Sequence, residues 1–393
     1  MIYLLRQVFQ PMIAMITSLV MSLTALFGGA ASHPEKAPEE YETVKNVIYL
    51  IGDGMGVNHL EKTKNELGIE LTMDTFEIEG RSMTRSASNL VTDSAAGGTA
   101  LACGVRTMNG ALGVYMYDLL HVESQPKNIR ELCAENGMMT GVVTTDKTSG
   151  ATPSAFTVHT SSRNNTKDID TQQMNLDIDL LWGATSDYVT KEECEANGFT
   201  FVKTYSEMMA LEEGGRSFAQ FDNSTWTDEQ YDAETPTLSQ MTEKAIDLLD
   251  DTDEGFFLMV EGAHIDKHSH SNDSEAMTES LKEFDEAVAI ALEYAMADGE
   301  TLVVVTADHE TGAIIVNDDG TYSFTSGSHS SADVPVLVYG STTFIENGEK
   351  VNNIQIPERI AFSLGFTAEQ FPVEVFESWV SKVESFMDTE LAG

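Results

Sequence analysis

Three apolar runs in this chain end in the same way. Asn46-Val47-Ile48-Tyr49-Leu50-Ile51 stops at Gly52-Asp53-Gly54-Met55-Gly56, and Phe256-Phe257-Leu258-Met259-Val260 stops at Glu261-Gly262-Ala263-His264-Ile265-Asp266-Lys267-His268-Ser269-His270. Thr301-Leu302-Val303-Val304-Val305 stops at Thr306-Ala307-Asp308-His309-Glu310. Short continuous apolar runs read as strands covered on both faces, the arrangement of a parallel sheet between helices. Open sheets of that kind present ligands at the carboxyl ends of their strands. Acids and imidazoles delivered to one edge by three strands would concentrate charge there, which calls for cations to neutralise it. The runs therefore predict an α/β fold, a three-layer sandwich with a mainly parallel central sheet and helices on both faces. They also predict a divalent-cation site at its edge, because oxygen plus imidazole donors suit Zn2+, Mg2+ or Mn2+ better than thiolate-loving ions.

Between these runs, Asp93 reads as the N-cap of a helix built from Ala and Gly, which puts Ser94 in the first turn. Backbone N–H groups and the helix dipole favour an anion there. A hydroxyl is a poor nucleophile at neutral pH, and this one needs a base or a metal to become an alkoxide. The spacing predicts helices over Asn128 to Asn136, Tyr205 to Glu213, Thr237 to Leu249 and Ser274 to Ala297. Further strands are predicted over Thr140 to Thr144, Asp179 to Ala184 and Val334 to Tyr339. Gly52, Gly54 and Gly56 do not reproduce the GxGxxG spacing of a dinucleotide fingerprint.

Six stretches, in order, carry a resemblance. Leu50-Ile51-Gly52-Asp53-Gly54-Met55-Gly56, Val91-Thr92-Asp93-Ser94-Ala95-Ala96, Asn109-Gly110-Ala111-Leu112-Gly113, Ala151-Thr152-Pro153, Val260-Glu261-Gly262-Ala263-His264-Ile265-Asp266 and Thr306-Ala307-Asp308-His309-Glu310 together resemble the alkaline phosphatase family, from about Asn46 to Gly340. The resemblance implies hydrolysis of small phosphate monoesters to alcohol and inorganic phosphate through a phosphoserine on Ser94. It implies two Zn2+ and one Mg2+ as cofactors. Asp266, His270 and His329 would hold one zinc, Asp53, Asp308 and His309 the second, and Asp53, Thr152 and Glu261 the magnesium. Arg163 matches the phosphate clamp, a role its planar, permanently charged fork suits, and Lys267 would add positive charge near the substrate. Three departures stand out. Gly150 sits where many relatives carry an Asp or His, so support for the magnesium is expected to be missing. Only 20 positions separate His309 from His329, which leaves a reduced crown insertion. Trp182-Gly183-Ala184 replaces a glycine triplet. The alternatives are a phosphodiesterase or sulfatase of related architecture, and a non-catalytic metal- or phosphate-binding exported protein. Sulfatases need a modified nucleophile, which the plain Ser94 context does not suggest.

Composition narrows the partners. The 393 residues hold 64 Asp plus Glu against 22 Lys plus Arg, a formal charge of -42, which argues against nucleic acid or an anionic membrane surface. No Asp, Glu, Lys or Arg lies between Arg6 and Glu35, and the apolar Met12 to Phe27 leads into Gly28-Gly29-Ala30-Ala31. Residues 1–31 are thus expected to be a cleaved signal peptide and 32–44 a mobile leader, with a secreted or periplasmic product and no stable membrane association. A retained anchor is the competing reading, since the uncharged span is long enough to cross a bilayer. Residues 45–393 are expected to form one catalytic domain, with an insertion around 164–235 that carries no chemical signature. Cys103, Cys133 and Cys194 have no paired spacing, so neither a disulfide framework nor a thiolate zinc site is expected. A homodimer is left open.

The charge itself generates a test. A strongly negative protein repels an anionic ester, so added salt should screen that repulsion and raise kcat/KM. A steady fall in kcat/KM with ionic strength would contradict this.

Overall fold

All three apolar runs are strands, and they are neighbours. The computed structural model describes residues 38–88, 90–116, 122, 124–221, 234–250 and 252–371. The expected signal segment and residues 32–37 of the leader lie outside them. In chain order the first half comprises β1 (Asn46–Gly52), α1 (Val57–Leu67), β2 (Ile78–Met83), α2 (Ser94–Cys103), α3 (Ile129–Glu135), β3 (Met139–Lys147), α4 (Ala151–Ala155), α5 (Thr166–Met174), β4 (Leu180–Ala184), α6 (Lys191–Ala196) and β5 (Phe199–Val202). There follow α7 (Tyr205–Met209), β6 (Arg216–Phe221), α8 (Leu238–Leu249), β7 (Phe256–Gly262), α9 (His264–Ser271), α10 (Ser274–Asp298) and β8 (Thr301–Thr306). The last part holds β9 (Glu310–Thr311), β10 (Ile315–Val316), β11 (Tyr322–Ser323), β12 (His329–Ser330), β13 (Val334–Tyr339), β14 (Lys350–Asn352) and α11 (Gln355–Ser363).

The main sheet has ten strands in the order β14-β2-β13-β8-β1-β7-β3-β4-β6-β5. Only β13 runs against the others, pairing antiparallel with both β2 and β8. Every residue of the central strands is buried, and successive side chains face alternate cores. Val47, Tyr49, Ile51, Phe257, Met259, Leu302 and Val304 face one apolar core, and Ile48, Leu50, Phe256, Leu258, Val260, Val303 and Val305 face the other. This two-faced burial is why these segments read as unbroken apolar runs. Side chains of α2 to α6 and α11 join the first core, and those of α7 to α10 join the second.

Register decides where the chemistry falls. β1 lies between β8 and β7, with Ile51 opposite Glu261 on one side and Thr306 on the other. The carboxyl ends of the three strands are therefore level, and Asp53, Glu261 and Asp308 emerge at one edge, as the topology of open α/β sheets favours. Residues 164–235, expected as an insertion, include β4, β5 and β6, which extend the sheet to its β5 edge. The helix expected to reach Glu213 stops at Met209, ahead of Glu212-Glu213-Gly214-Gly215, where acids oppose the dipole and Gly214 turns at φ +75°. β3 runs past Thr144 to Lys147 because a register shift between Val143 and Lys147 lets the strand bulge and continue. The reduced crown region is two short ribbons, β9 with β12 and β10 with β11.

Phe284 of α10 ties the helical layer to the end of β7. Its ring fills the space over Gly262, where an added Cβ would lie 2.7 Å from Phe284 Cδ2, and the side chain is fully buried. Replacing Phe284 by Ala should cost about 3–5 kcal/mol in urea unfolding. A loss below about 1 kcal/mol would mean that this face is not the close-packed core described.

Candidate functional site

Asp93 caps α2, its carboxylate accepting from Ala96 N at 3.0 Å and from Gly110 N at 3.1 Å. Every residue of α2 is buried, and its small side chains let the helix press against the end of β8. At Gly97 an added Cβ would come within 2.9 Å of Asp308 O, so only glycine permits this approach. Ser94, the first helical residue, is thereby held with Oγ 3.1 Å from His309 Nε2.

Two more oxygens converge on that same nitrogen. Asp308 Oδ2 stands 3.2 Å and Asp53 Oδ1 3.6 Å from His309 Nε2. A serine–histidine–aspartate relay would put the acid on the other ring nitrogen, but Nδ1 faces Thr311 Oγ1 at 3.2 Å. One N–H cannot serve three oxygens, and both Asp53 Oδ1 and Asp308 Oδ2 are buried without a hydrogen-bond partner. Their companion Asp308 Oδ1 is satisfied, accepting from Gly54 N and His309 N. Converging orphaned acceptors around an imidazole could hold a cation, and the donor chemistry suits zinc.

A second group shares His309. Asp266, His309 and His329 bring ligand atoms within 4.8 Å of one another, as do Asp53, Asp308 and His309. His270 completes the group, with Nε2 3.3 Å from Asp266 Oδ2 and 3.1 Å from His329 Nε2. Backbone carbonyls orient both rings, Thr92 O on His329 Nδ1 and Gly327 O on His270 Nδ1, each at 2.9 Å. With the outer nitrogens donating, the two Nε2 lone pairs face each other, an arrangement that needs a proton or a cation between them. Thr311 Oγ1 donates to Asp266 Oδ1 at 2.5 Å.

The third expected set is looser. Thr152 Oγ1 donates to Asp53 Oδ2 at 3.4 Å, while Glu261 accepts from Thr144 Oγ1. Burial raises Asp53 well above the ordinary carboxylate range, and the charges of Asp308, Asp266 and Glu261 raise it further. Burial likewise pushes Asp308 up to about 7, with Asp266 adding to it, and Glu261 up to about 8, with Asp146 adding to it. Asp266 is also buried, yet its bond with His270 and the charge of His309 hold it low, and that bond pushes His270 up to about 9. His309 falls well below its ordinary value through burial and the neighbouring His329.

Arg163 stands at the rim, half-buried, with Nη1 3.3 Å from Asp93 Oδ2. Lys267 is exposed and pairs with Asp146 Oδ1 at 2.5 Å. The space a side chain at Gly150 would take is occupied by the Asp146 carboxylate. Sequence reasoning passed over Asp146, Thr144 and Thr311. Thr311 follows Glu310 directly and Thr144 closes the strand predicted over Thr140 to Thr144, but a threonine at a strand end is ordinary in sequence.

Comparison with known proteins gives a consistent result. A family profile described as Alkaline phosphatase matches residues 44–192 and 181–324. "Alkaline phosphatase 4" of Bacillus subtilis (strain 168) is 34% identical over 325 residues, covering 76% of this chain and 69% of that protein. The solved alkaline phosphatase of the Antarctic bacterium TAB5 superposes with a TM-score of 0.73 at 30% identity, covering 83% of this chain and 99% of that one. A variant of the TAB5 enzyme solved with magnesium bound gives 0.71 at 31% identity, with the same coverage.

Removing metal should expose the strain among the buried acids. The folded chain keeps protons on Asp308 and Glu261 up to about 7 and 8, which the unfolded chain releases near pH ~4. It keeps one on His270 up to about 9, which the unfolded chain releases near pH ~6.5. Raised folded values of this kind contribute stability that is lost as pH rises through them. The melting temperature of the chelated protein should therefore fall between pH 5 and pH 9, and fall less after zinc is restored. A flat or rising profile for the chelated protein would contradict the assignment.

Proposed function

The chain belongs to the alkaline phosphatase family, an enzyme of phosphate monoester hydrolysis, and from that premise we propose that Ser94 carries the phosphoryl group as a covalent intermediate. The observation that supports this best is the convergence of Ser94 Oγ, Asp53 Oδ1 and Asp308 Oδ2 on His309 Nε2. It sets one hydroxyl beside unpaired acceptors at the amino end of a buried helix.

We assign one zinc to Asp266, His270 and His329, a second to Asp53, Asp308 and His309, and a magnesium to Asp53, Thr152 and Glu261. When bound, such ions supply positive charge to the attacking and leaving oxygens of an in-line displacement. The oxygen-only character of the third set favours magnesium, and the TAB5 variant that binds magnesium is a relative of this chain.

The protein's own groups do the rest. Ser94 Oγ, in the field of the α2 amino end, forms the new bond to phosphorus as the bond to the leaving alcohol oxygen breaks. Arg163 holds two non-bridging oxygens in its fork, and Asp93 aims it from the same turn that carries Ser94. Water then attacks the phosphoserine, Ser94 Oγ leaves, and inorganic phosphate is released. Lys267, paired with Asp146, adds positive charge at the site's outer side. Export follows from the pattern of residues 1–31, and no helix among the described residues is long and apolar enough to cross a membrane.

Ser94→Ala should lower kcat on a monoester by a factor on the order of 10³ or more while zinc content stays the same. Arg163→Ala should lower kcat/KM by roughly ten- to a hundredfold, the loss of a charged bidentate contact. A Ser94→Ala protein that turns over normally would refute the nucleophile. One that is inactive in both forms but binds phosphate as tightly as the parent would point instead to a scavenger.

A further inference from the structure

Two glycines and one carboxylate share a small volume beside Glu261. A Cβ on Gly150 would lie 2.8 Å from Asp146 Cγ and closer still to Oδ2, so Asp146 already fills the space that a side chain at 150 would take. A Cβ on Gly183 would lie 2.7 Å from Asp146 O and 2.7 Å from Thr144 Cγ2, so the neighbouring strand yields room as well. This explains why Gly183 of β4 is a glycine. Asp146 follows Thr144 by two residues at the end of β3, the spacing that sends both side chains to one face of a strand.

Asp146 is linked to the third ligand set in two ways. Its backbone N–H donates to Thr144 Oγ1 at 2.8 Å, and that hydroxyl donates to Glu261. Its Oδ1 engages Lys267 Nζ at 2.5 Å. The second link matters because an ammonium and a divalent cation compete for the same carboxylate. Lys267 lies near enough to act on Glu261 through space, and so does Asp146. While Asp146 holds the ammonium, Glu261 is left to the divalent ion. An ordinary surface pair, by contrast, contributes little and has no bearing on metal.

We propose that Asp146 is a positioning residue for the third cation: from the end of β3 its carboxylate fills the space left by Gly150 and holds Lys267 off Glu261, while the backbone N–H at this position, which substitution would not remove, engages Thr144. This rests on reading Asp53, Thr152 and Glu261 as a cation site. Magnesium retention by this chain then depends on a carboxylate four residues before the glycine rather than on a side chain at 150.

The test uses full-length protein loaded with two equivalents of Zn2+ and titrated with Mg2+, followed by melting temperature and by metal content after gel filtration. Asp146→Ala and Asp146→Asn should each raise the Mg2+ midpoint by about 10–100-fold with zinc content and near-UV circular dichroism unchanged. Moving the carboxylate back, in the double variant Asp146→Ala/Gly150→Asp, should recover most of that loss, which a merely structural role would not do. Unchanged midpoints in both single variants, or a folded double variant with no recovery, would overturn the proposal. Glu261→Gln separates the two levels: if it leaves the Mg2+ response intact, the third site itself is misread. If it abolishes the response while Asp146→Asn does not alter it, only the role of Asp146 fails.

Discussion

Mutual repulsion among buried carboxylates is the constraint on which this structure turns. Asp53, Glu261, Asp266 and Asp308 are all buried within one edge of the sheet, and each of Asp53, Asp308 and Glu261 is raised by burial and then by its neighbours. Charges of one sign at such depth persist only with cations among them or with protons in their place. The sheet could have avoided this by staggering its strands. Instead Ile51 stands level with Glu261 and Thr306, and the acids that follow emerge together.

Ser94 depends on the same edge through packing rather than charge. Ser94 reaches His309 because α2 is built of residues small enough to seat against β8, with Gly97 against Asp308 O. A bulkier helix would still be capped by Asp93 and would still present Ser94 to its own dipole, but several ångströms from the acids. Asp93 links the helix to the arginine, since one of its oxygens caps α2 and the other holds Arg163. Ser94 and Arg163 are therefore positioned by one side chain, which is the kind of rigid support that productive alignment needs.

Much of this was legible in the chain. The apolar runs, their acidic endings and the Asp93 cap follow from periodicity and local hydrogen bonding, which act over a few residues and leave a local trace. Asp146, Thr144 and Thr311 left no such trace. A threonine or aspartate near a strand end is ordinary in sequence, and its role depends on which strand lies alongside. The surroundings of Gly150 show the limit most clearly, because the Asp146 carboxylate, four residues earlier in β3, stands where a side chain at 150 would go.

By itself the sequence determined the strand and helix types, the N-cap that bears Ser94, the identity of the acids and imidazoles, and the overall negative charge. Only the tertiary structure decided that three oxygens meet on a single nitrogen of His309, and that the outer nitrogens of His270 and His329 are committed to backbone carbonyls. The reason is one of range. Periodicity and capping are set within a turn or two of chain, whereas the direction in which a donor atom points is set by registers and packings between segments more than two hundred residues apart, such as β1 against β7 and β8.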